Sequence, residues 1–176
     1  MKRRRFLLSL ALILFFHISH AQLLMIDGET GEYRYEEVVK AEGLSQSQIK
    51  NRAKKWMSLY YKPINSVRVD SMGLQQMSSF ETSWKFIKKT IPLEIYFDLT
   101  IKSKDNRYKY DFANFKTGKM VLGKPDVIDL KTYITRFPEK YQIYVEEPID
   151  NEISKAISSL EYFIINDKLK VEEDDW

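Results

Sequence analysis

The stretch IPLEIYFDLTIKSKDNRYKYDFANF, residues 91–115, decides the fold, because two alternating apolar and polar runs flank Asp105-Asn106. If these two residues form a tight turn, Leu99 lies opposite Phe112 and Thr100 lies opposite Asp111. One face of the hairpin is then apolar and the other polar, which is the pattern of an antiparallel sheet with one buried face. The turn and the alternation agree on the same register, so we predict a β-hairpin here.

The clearest helix signal lies upstream of this hairpin. Ser45-Gln46-Ser47-Gln48 has the spacing of a capping box, in which the first and last side chains satisfy each other's backbone amides. Apolar residues then recur on one helical face, and Pro63 marks the end of the pattern. These residues are Ile49, Ala53, Trp56, Met57 and Tyr60. We predict an amphipathic helix over residues 46–61.

The remaining elements complete a two-layer fold. Aromatic and β-branched residues predict strands at Tyr33–Lys40, Val67–Asp70 and Gln75–Trp84. Tyr141–Val145 is predicted as a further strand, and a second helix is expected from about Asp150, as N-cap, to Ile165. This order favours an α+β domain in which two helices pack on one face of a curved antiparallel sheet.

The first 21 residues have the composition of a secretory signal peptide. Lys2 to Arg5 are basic, Phe6–Phe16 is apolar, and Ser19-His20-Ala21 is a small-x-small cleavage site. The apolar run is shorter than the roughly 20 residues that cross a bilayer, although an uncleaved anchor is the alternative. We expect cleavage after Ala21, a periplasmic or secreted location and no transmembrane anchor in the processed chain. We expect residues 22–167 to be one domain and 168–176 a flexible acidic tail.

Loss of the leader changes both the charge and the available chemistry. Four basic residues leave with it, so that 24 of the 28 Lys and Arg remain against 25 Asp and Glu, a formal charge of −1. Nucleic acid is therefore not an expected partner, since its binders need a basic surface. Both histidines, His17 and His20, lie in the leader, and the chain has no cysteine. This excludes Ser-His-Asp triads, Cys nucleophiles and His or Cys metal ligands from the processed chain.

Several of these segments resemble a known family. Gly31-Glu32-Tyr33-Arg34-Tyr35, Arg52-Ala53-Lys54-Lys55-Trp56 and the hairpin around Lys104-Asp105-Asn106-Arg107 are similar to the exported bacterial domain-of-unknown-function family 4468. The similarity covers about residues 31–115. It implies a TATA-binding-protein-like fold with the order β-α-β-β-β-β-α, and it implies no catalytic residues. Asn106 stands where a turn glycine is expected, but Asn tolerates left-handed backbone angles, so the turn should form.

Carboxylates on the polar face of the hairpin are the first candidate site. Glu94, Asp98 and Asp111 share this face, and Asp98 and Asp111 are diagonal neighbours in the predicted register, roughly 7–8 Å apart between Cα atoms. Inverting glycosidases separate their carboxylates by about 6.5–9.5 Å. A small carboxylate-dependent hydrolase acting on an envelope substrate is therefore the alternative function, although a solvated sheet face carries such pairs routinely.

Aromatic residues are the second candidate site. Trp56, Tyr60, Tyr108 and Tyr110 are candidates for ligand-facing side chains in a cavity between the helices and the sheet, and core packing accounts for them equally well. Basic residues on the first helix suit either anionic headgroups or an ordinary solvated surface; they are Lys50, Arg52, Lys54 and Lys55. We expect an exported, non-catalytic envelope module that binds an unidentified ligand or protein and needs no cofactor or metal.

Overall fold

A computed structural model describes residues 26–28, 30–63, 65–70, 73–86, 88–121 and 124–167. The predicted signal peptide, its cleavage site after Ala21 and the acidic tail at 168–176 lie outside these residues.

One antiparallel sheet of seven strands organises this part of the chain. The strands are β1 (Tyr35–Lys40), β2 (Lys62–Pro63), β3 (Arg68–Asp70), β4 (Gly73–Phe86), β5 (Lys89–Lys104), β6 (Arg107–Val121) and β7 (Lys124–Asp129). Their order is β1-β6-β5-β4-β2, with β3 also paired to β4 and β7 also paired to β6. Three helices accompany them: α1 (Gln46–Tyr60), α2 (Leu130–Ile134) and α3 (Glu139–Asn166).

The predicted hairpin is confirmed in its register. Leu99 pairs with Phe112, Thr100 with Asp111 and Ile101 with Tyr110 across β5 and β6. Asn106 adopts a φ of 62°, so it supplies the left-handed turn residue without a glycine. The turn is also fastened to the rest of the fold, since the Asp105 carboxylate accepts a 2.7 Å hydrogen bond from the backbone N–H of Gln46 at the start of α1.

Helix α1 begins as its sequence predicts. The Ser45 hydroxyl accepts from the Gln48 backbone N–H at 3.3 Å, and the Gln48 side-chain oxygen accepts from the Ser45 backbone N–H at 2.9 Å. Ile49, Ala53 and Trp56 are fully buried on the face that the sequence identified. The capping box and the apolar spacing therefore fix both the start of α1 and its orientation on the sheet.

Helix α3 corrects the prediction for the end of the chain. The predicted strand Tyr141–Val145 is wrong, because these residues belong to one helix that runs from Glu139 to Asn166. Asp150 is not an N-cap but lies inside this helix, as does Pro148. Aromatic and β-branched residues favour a strand locally, and a proline inside a helix removes one of its backbone hydrogen bonds. Burial of Val145, Ile149 and Ile153 at helical spacing overrides both preferences.

The two long helices pack on one face of the sheet, so the α+β prediction is confirmed. The Trp56 indole N–H donates to the Ser159 hydroxyl at 3.1 Å in the buried interface. The Arg52 guanidinium donates to the carbonyls of Ile164 and Ile165 at the end of α3, at 2.6 and 2.8 Å. The predicted order of elements holds, with β2, β7 and the short α2 added to it.

Gly118 provides a test of the β6–β7 pairing. A Cβ atom at this position would clash with the Asp126 carbonyl and lie 2.7 Å from the Val127 Cα. We expect Gly118→Ala to lower the free energy of unfolding by about 1–3 kcal/mol, because the opposite strand must move. Urea denaturation measures the change. Gly28→Ala is the matched control, since its Cβ meets nothing within 4 Å; equal stability of the two variants would contradict the close packing.

Candidate functional site

A row of polar side chains crosses the face of the sheet that carries no helix. Arg68 pairs with Gln75, Gln75 with Thr100, and Thr100 with Asp111. Directly paired residues of adjacent strands point to the same face. Leu99, the neighbour of Thr100 along β5, is fully buried on the helix side. The row therefore lies on the opposite, helix-free face.

This row is part of the floor of a cavity of about 700 Å³. A second row, formed by Met77, Asp98 and Ala113, lies beside it on the floor. The segment before β1 and the segment before β3 contribute the remaining lining. The polar lining residues are Asp27, Thr30, Glu32, Arg34, Asn65, Ser66, Arg68, Gln75, Gln76, Asp98, Thr100, Asp111 and Asn114. Strand pairing thus brings residues from distant parts of the chain into one concave, polar surface.

An arginine joins the first wall to the floor. The Arg34 guanidinium donates to both oxygens of Asp111, with Nε to Oδ1 at 2.8 Å and Nη2 to Oδ2 at 2.6 Å. It also forms ion pairs with Glu36 at 3.0 Å and Asp27 at 3.4 Å. The hydrogen bonds from Arg34 to Asp111 raise the pKa of Arg34 above its ordinary value. Two-point pairing of this kind fixes geometry as well as charge.

Asn65 joins the second wall to the sheet. Its side-chain oxygen accepts from the Met77 backbone N–H at 3.0 Å, and its carbonyl accepts from the Gln76 side-chain amide at 3.3 Å. Arg68 follows three residues later and is exposed on β3 beside Gln75. The anchored wall therefore places the Arg68 side chain at one end of the polar row.

The charged side chains of the cavity differ in whether they already have hydrogen-bond or ion-pair partners within the protein. Asp111 is committed to Arg34. The Asn114 side-chain amide donates to Oδ2 of Asp98 at 2.8 Å, and no described residue occupies Oδ1. Among the described residues, none forms an ion pair with Arg68. Asp98, Glu32 and Arg68 thus keep capacity for a ligand, and of the two acids Asp98 is the one on the cavity floor.

The sequence located part of this site. Asp98 and Asp111 both line the cavity, as their predicted diagonal relation implies, whereas Glu94 lies outside it opposite Glu81. Arg34 and Arg68 were missed. Arg34 and Arg68 each lie within a predicted strand, but a single sequence does not show that β1 pairs with β6 and β3 with β4.

Comparison with known proteins gives a family match for the middle of the chain. Residues 35–117 match the model of a family described as a domain of unknown function (DUF4468) with TBP-like fold.

This stretch of the chain is similar to the DUF4468 family.

Two solved structures resemble the chain in fold. A TBP-like protein from Parabacteroides distasonis is 14% identical and aligns with a TM-score of 0.57 over 82% of this chain and 99% of its own. A DUF4468 family protein from Bacteroides ovatus is 10% identical and aligns with a TM-score of 0.55 over 83% of this chain and 93% of its own. No curated protein matches the chain. The family resemblance predicted from the sequence is confirmed. The two solved structures show a similarity of fold alone.

The predicted ligand-facing aromatics lie elsewhere in the fold. Trp56, Tyr108 and Tyr110 are 0%, 2% and 1% exposed in the core on the helix side of the sheet. Tyr60 is partly exposed and stacks on Trp56 with ring centroids 4.8 Å apart. None of the four lines the cavity on the helix-free face. Core packing accounts for their placement, and a role in ligand binding stays a prediction.

The described residues contain neither a metal-binding cluster nor a membrane-spanning helix. Within them, no group of three or more His, Cys, Asp or Glu side chains is placed to hold a metal ion. No helix in the same part of the chain is both long and apolar enough to cross a bilayer.

Tyrosines and carboxylates connect the edge of the sheet to α3. The Tyr33 hydroxyl donates to Glu146 at 2.7 Å, and the Tyr35 hydroxyl donates to Asp150 at 2.8 Å. Burial raises the pKa of Asp150, although its hydrogen bond from Tyr35 acts in the opposite direction. Burial also raises the pKa of Glu161, and the Glu37 carboxylate adds to that effect. These contacts make the stability of the domain depend on pH.

The half-buried Glu161 provides a test of this dependence. A carboxyl whose pKa is raised on folding holds its proton more tightly in the folded state, so stability falls as pH rises from the ordinary value through the raised one. We therefore expect Glu161→Gln to be more stable than wild type at about pH 7.5 and as stable as wild type at about pH 3, where the carboxyl is protonated in both the folded and the unfolded state. Urea denaturation at both pH values measures this. Glu147→Gln, at an exposed position of α3, is the control; an equal gain from it would contradict the assignment.

Proposed function

We propose that the protein is a non-catalytic binding module that holds a polar ligand in the cavity on the helix-free face of its sheet. The observation that carries this proposal is the polar cavity of about 700 Å³ itself. Ligand sites in proteins commonly have volumes of about 300–1,000 Å³. The floor is built on paired strands of the sheet, so it is already formed without a ligand.

The character of the ligand follows from the hydrogen-bonding groups that the protein leaves unused. The side chains of Gln75, Thr100 and Ser66 make no hydrogen bond to any described residue, and Asp98 keeps one oxygen available. An apolar ligand would take these groups out of water without replacing their hydrogen bonds, at a cost of about 1–3 kcal/mol each. A ligand with several donors and acceptors would satisfy them. The lining therefore supports a polar ligand.

A carboxylate-dependent hydrolase is the second candidate. Asp98 and Asp111 both line the cavity, which is the observation in its favour. Against it, Asp111 has both oxygens bound by Arg34 and cannot serve as acid, base or nucleophile without breaking that pair. One available carboxylate oxygen on Asp98 suits binding better than two-carboxylate chemistry.

Ligand titration tests the binding function. We expect tri-alanine or chitobiose, but not lauric acid, to shift the amide NMR signals of residues that line the cavity. Thr100→Trp should weaken binding of the polar probe by about tenfold or more, because the indole fills the floor and a strand tolerates it. Glu81 lies on β4, on the same helix-free face as Thr100 but outside the cavity. Glu81→Trp should therefore bind the polar probe as wild type does.

Other outcomes of that titration discriminate between the functions. Binding of lauric acid alone, or unchanged affinity in Thr100→Trp, would contradict a polar site at this position. Release of alanine or N-acetylglucosamine during the titration, abolished by Asp98→Asn, would support the hydrolase instead.

We also propose that the module works in the periplasm or outside the cell. The basic residues at 2–5, the apolar run at 6–16 and the small-x-small sequence ending at Ala21 support this location. An unidentified ligand or protein of the cell envelope is then the partner, and nucleic acid is not proposed.

Export has a direct test at the N-terminus of the protein. We expect protein recovered from the periplasm or the medium to begin at Gln22, because the signal peptidase cleaves after Ala21. Leu12→Arg, which interrupts the apolar run, should leave uncleaved chain in the cytoplasm. N-terminal sequencing of each fraction measures both results. Recovery of wild type that begins at Met1 from the cytoplasm would contradict the proposed location.

A further inference from the structure

We infer that the cavity takes an elongated zwitterion, a short peptide with free ends, whose ammonium binds Asp98 and whose carboxylate binds Arg68. This inference rests on the proposed binding function and adds the class of ligand. It follows from the positions of the two charges, from their unused capacity and from the neutral groups between them.

The strand register sets the distance between the two charges. Arg68 on β3 lies opposite Gln75 on β4, which lies opposite Thr100 on β5. Asp98 is two residues along β5 from Thr100 and points to the same face. Strand spacing and rise place the Cα atoms of Arg68 and Asp98 about 12 Å apart. An extended peptide of three residues spans about 10 Å, and the long Arg68 side chain accommodates the difference.

The acidic end of the site is suited to an ammonium group. Asp98 is half-buried on the cavity floor, where the Asn114 amide holds its Oδ2 atom at 2.8 Å. The remaining oxygen, Oδ1, has no partner among the described residues. A charge-assisted hydrogen bond from a ligand ammonium would complete the coordination of this carboxylate.

The basic end is suited to a carboxylate. Arg68 is exposed and no described side chain pairs with it, so its fork of N–H donors is available for two-point binding. Arg34, the other guanidinium of the lining, is already bound to Asp111, Glu36 and Asp27. Only Arg68, of the two, can bind a ligand carboxylate without losing an internal ion pair.

The middle of the site is neutral and can bind a peptide backbone. Gln75 and Thr100 stand side by side in the row that begins at Arg68, and Asp98 lies next to Thr100 in the second row. A glutamine amide both donates and accepts, as a peptide group does, and a threonine hydroxyl can do either. A ligand with a uniform negative charge would meet Asp98 and Glu32, and one with a uniform positive charge would meet Arg68. A ligand with a positive charge at one end and a negative charge at the other can pair with both Asp98 and Arg68.

The test uses three forms of one probe with the purified chain. Tri-alanine, N-acetyl-tri-alanine and tri-alanine amide are titrated by calorimetry into wild type, Asp98→Asn and Arg68→Gln. We expect either block to weaken binding to wild type by about tenfold or more, as loss of a charge-assisted pair does. Asp98→Asn should weaken tri-alanine but not the acetylated form, and Arg68→Gln should weaken tri-alanine but not the amide.

Matched controls and opposite outcomes keep the inference falsifiable. Glu94→Gln and Lys102→Gln remove one negative and one positive charge from the helix-free face outside the cavity. Both variants should bind the three peptides as wild type does. Equal binding of free and blocked peptides, or no binding of tri-alanine, overturns the inference. If chitobiose binds at the cavity amides while tri-alanine does not, the zwitterion fails and the binding function stands. If neither binds, both fail.

Discussion

The register of the β5–β6 hairpin is the constraint on which the rest of the structure depends. With Leu99 opposite Phe112, the apolar side chains of both strands lie on the helix side of the sheet. The same pairing places Thr100 and Asp111 on the other side, where they form the cavity floor. A slip of one residue would exchange the two faces. Core and candidate site are therefore two consequences of one alignment.

The two faces then differ in what their polar groups do. On the helix side, polar groups are used to complete the packing: Trp56 donates to Ser159, and Arg52 satisfies carbonyls at the end of α3. On the helix-free side, Arg34 and Asn65 fasten the cavity walls, while Asp98 and Arg68 retain binding capacity. A concave surface with charged groups available to a ligand is what distinguishes the candidate site from the packed core.

The accuracy of the sequence predictions followed the range of the interactions involved. The hairpin and α1 were predicted because the turn, the capping box and the apolar spacing act over a few residues and agree with one another. Residues 139–166 were predicted wrongly as a strand and a shorter helix. There Pro148 and the Tyr-Ile-Val composition opposed the helix locally, and contact of Val145, Ile149 and Ile153 with the core decided the outcome. In the site, Asp98 and Asp111 were related by the hairpin alone, whereas Arg34 and Arg68 depend on strands that are distant in sequence.

By itself, the sequence determined the α+β class, the hairpin register, the start of α1 and the family resemblance, because these depend on local periodicity and on residues at fixed spacing. It also determined that His and Cys chemistry is absent beyond residue 20. The tertiary structure alone decided that α3 is one continuous helix and that Arg34 neutralises Asp111. It alone placed Arg68 at one end of a polar row and Asp98 in the row beside it. These features depend on which strands become neighbours and on which surface is buried, and both are settled only when the whole sheet assembles.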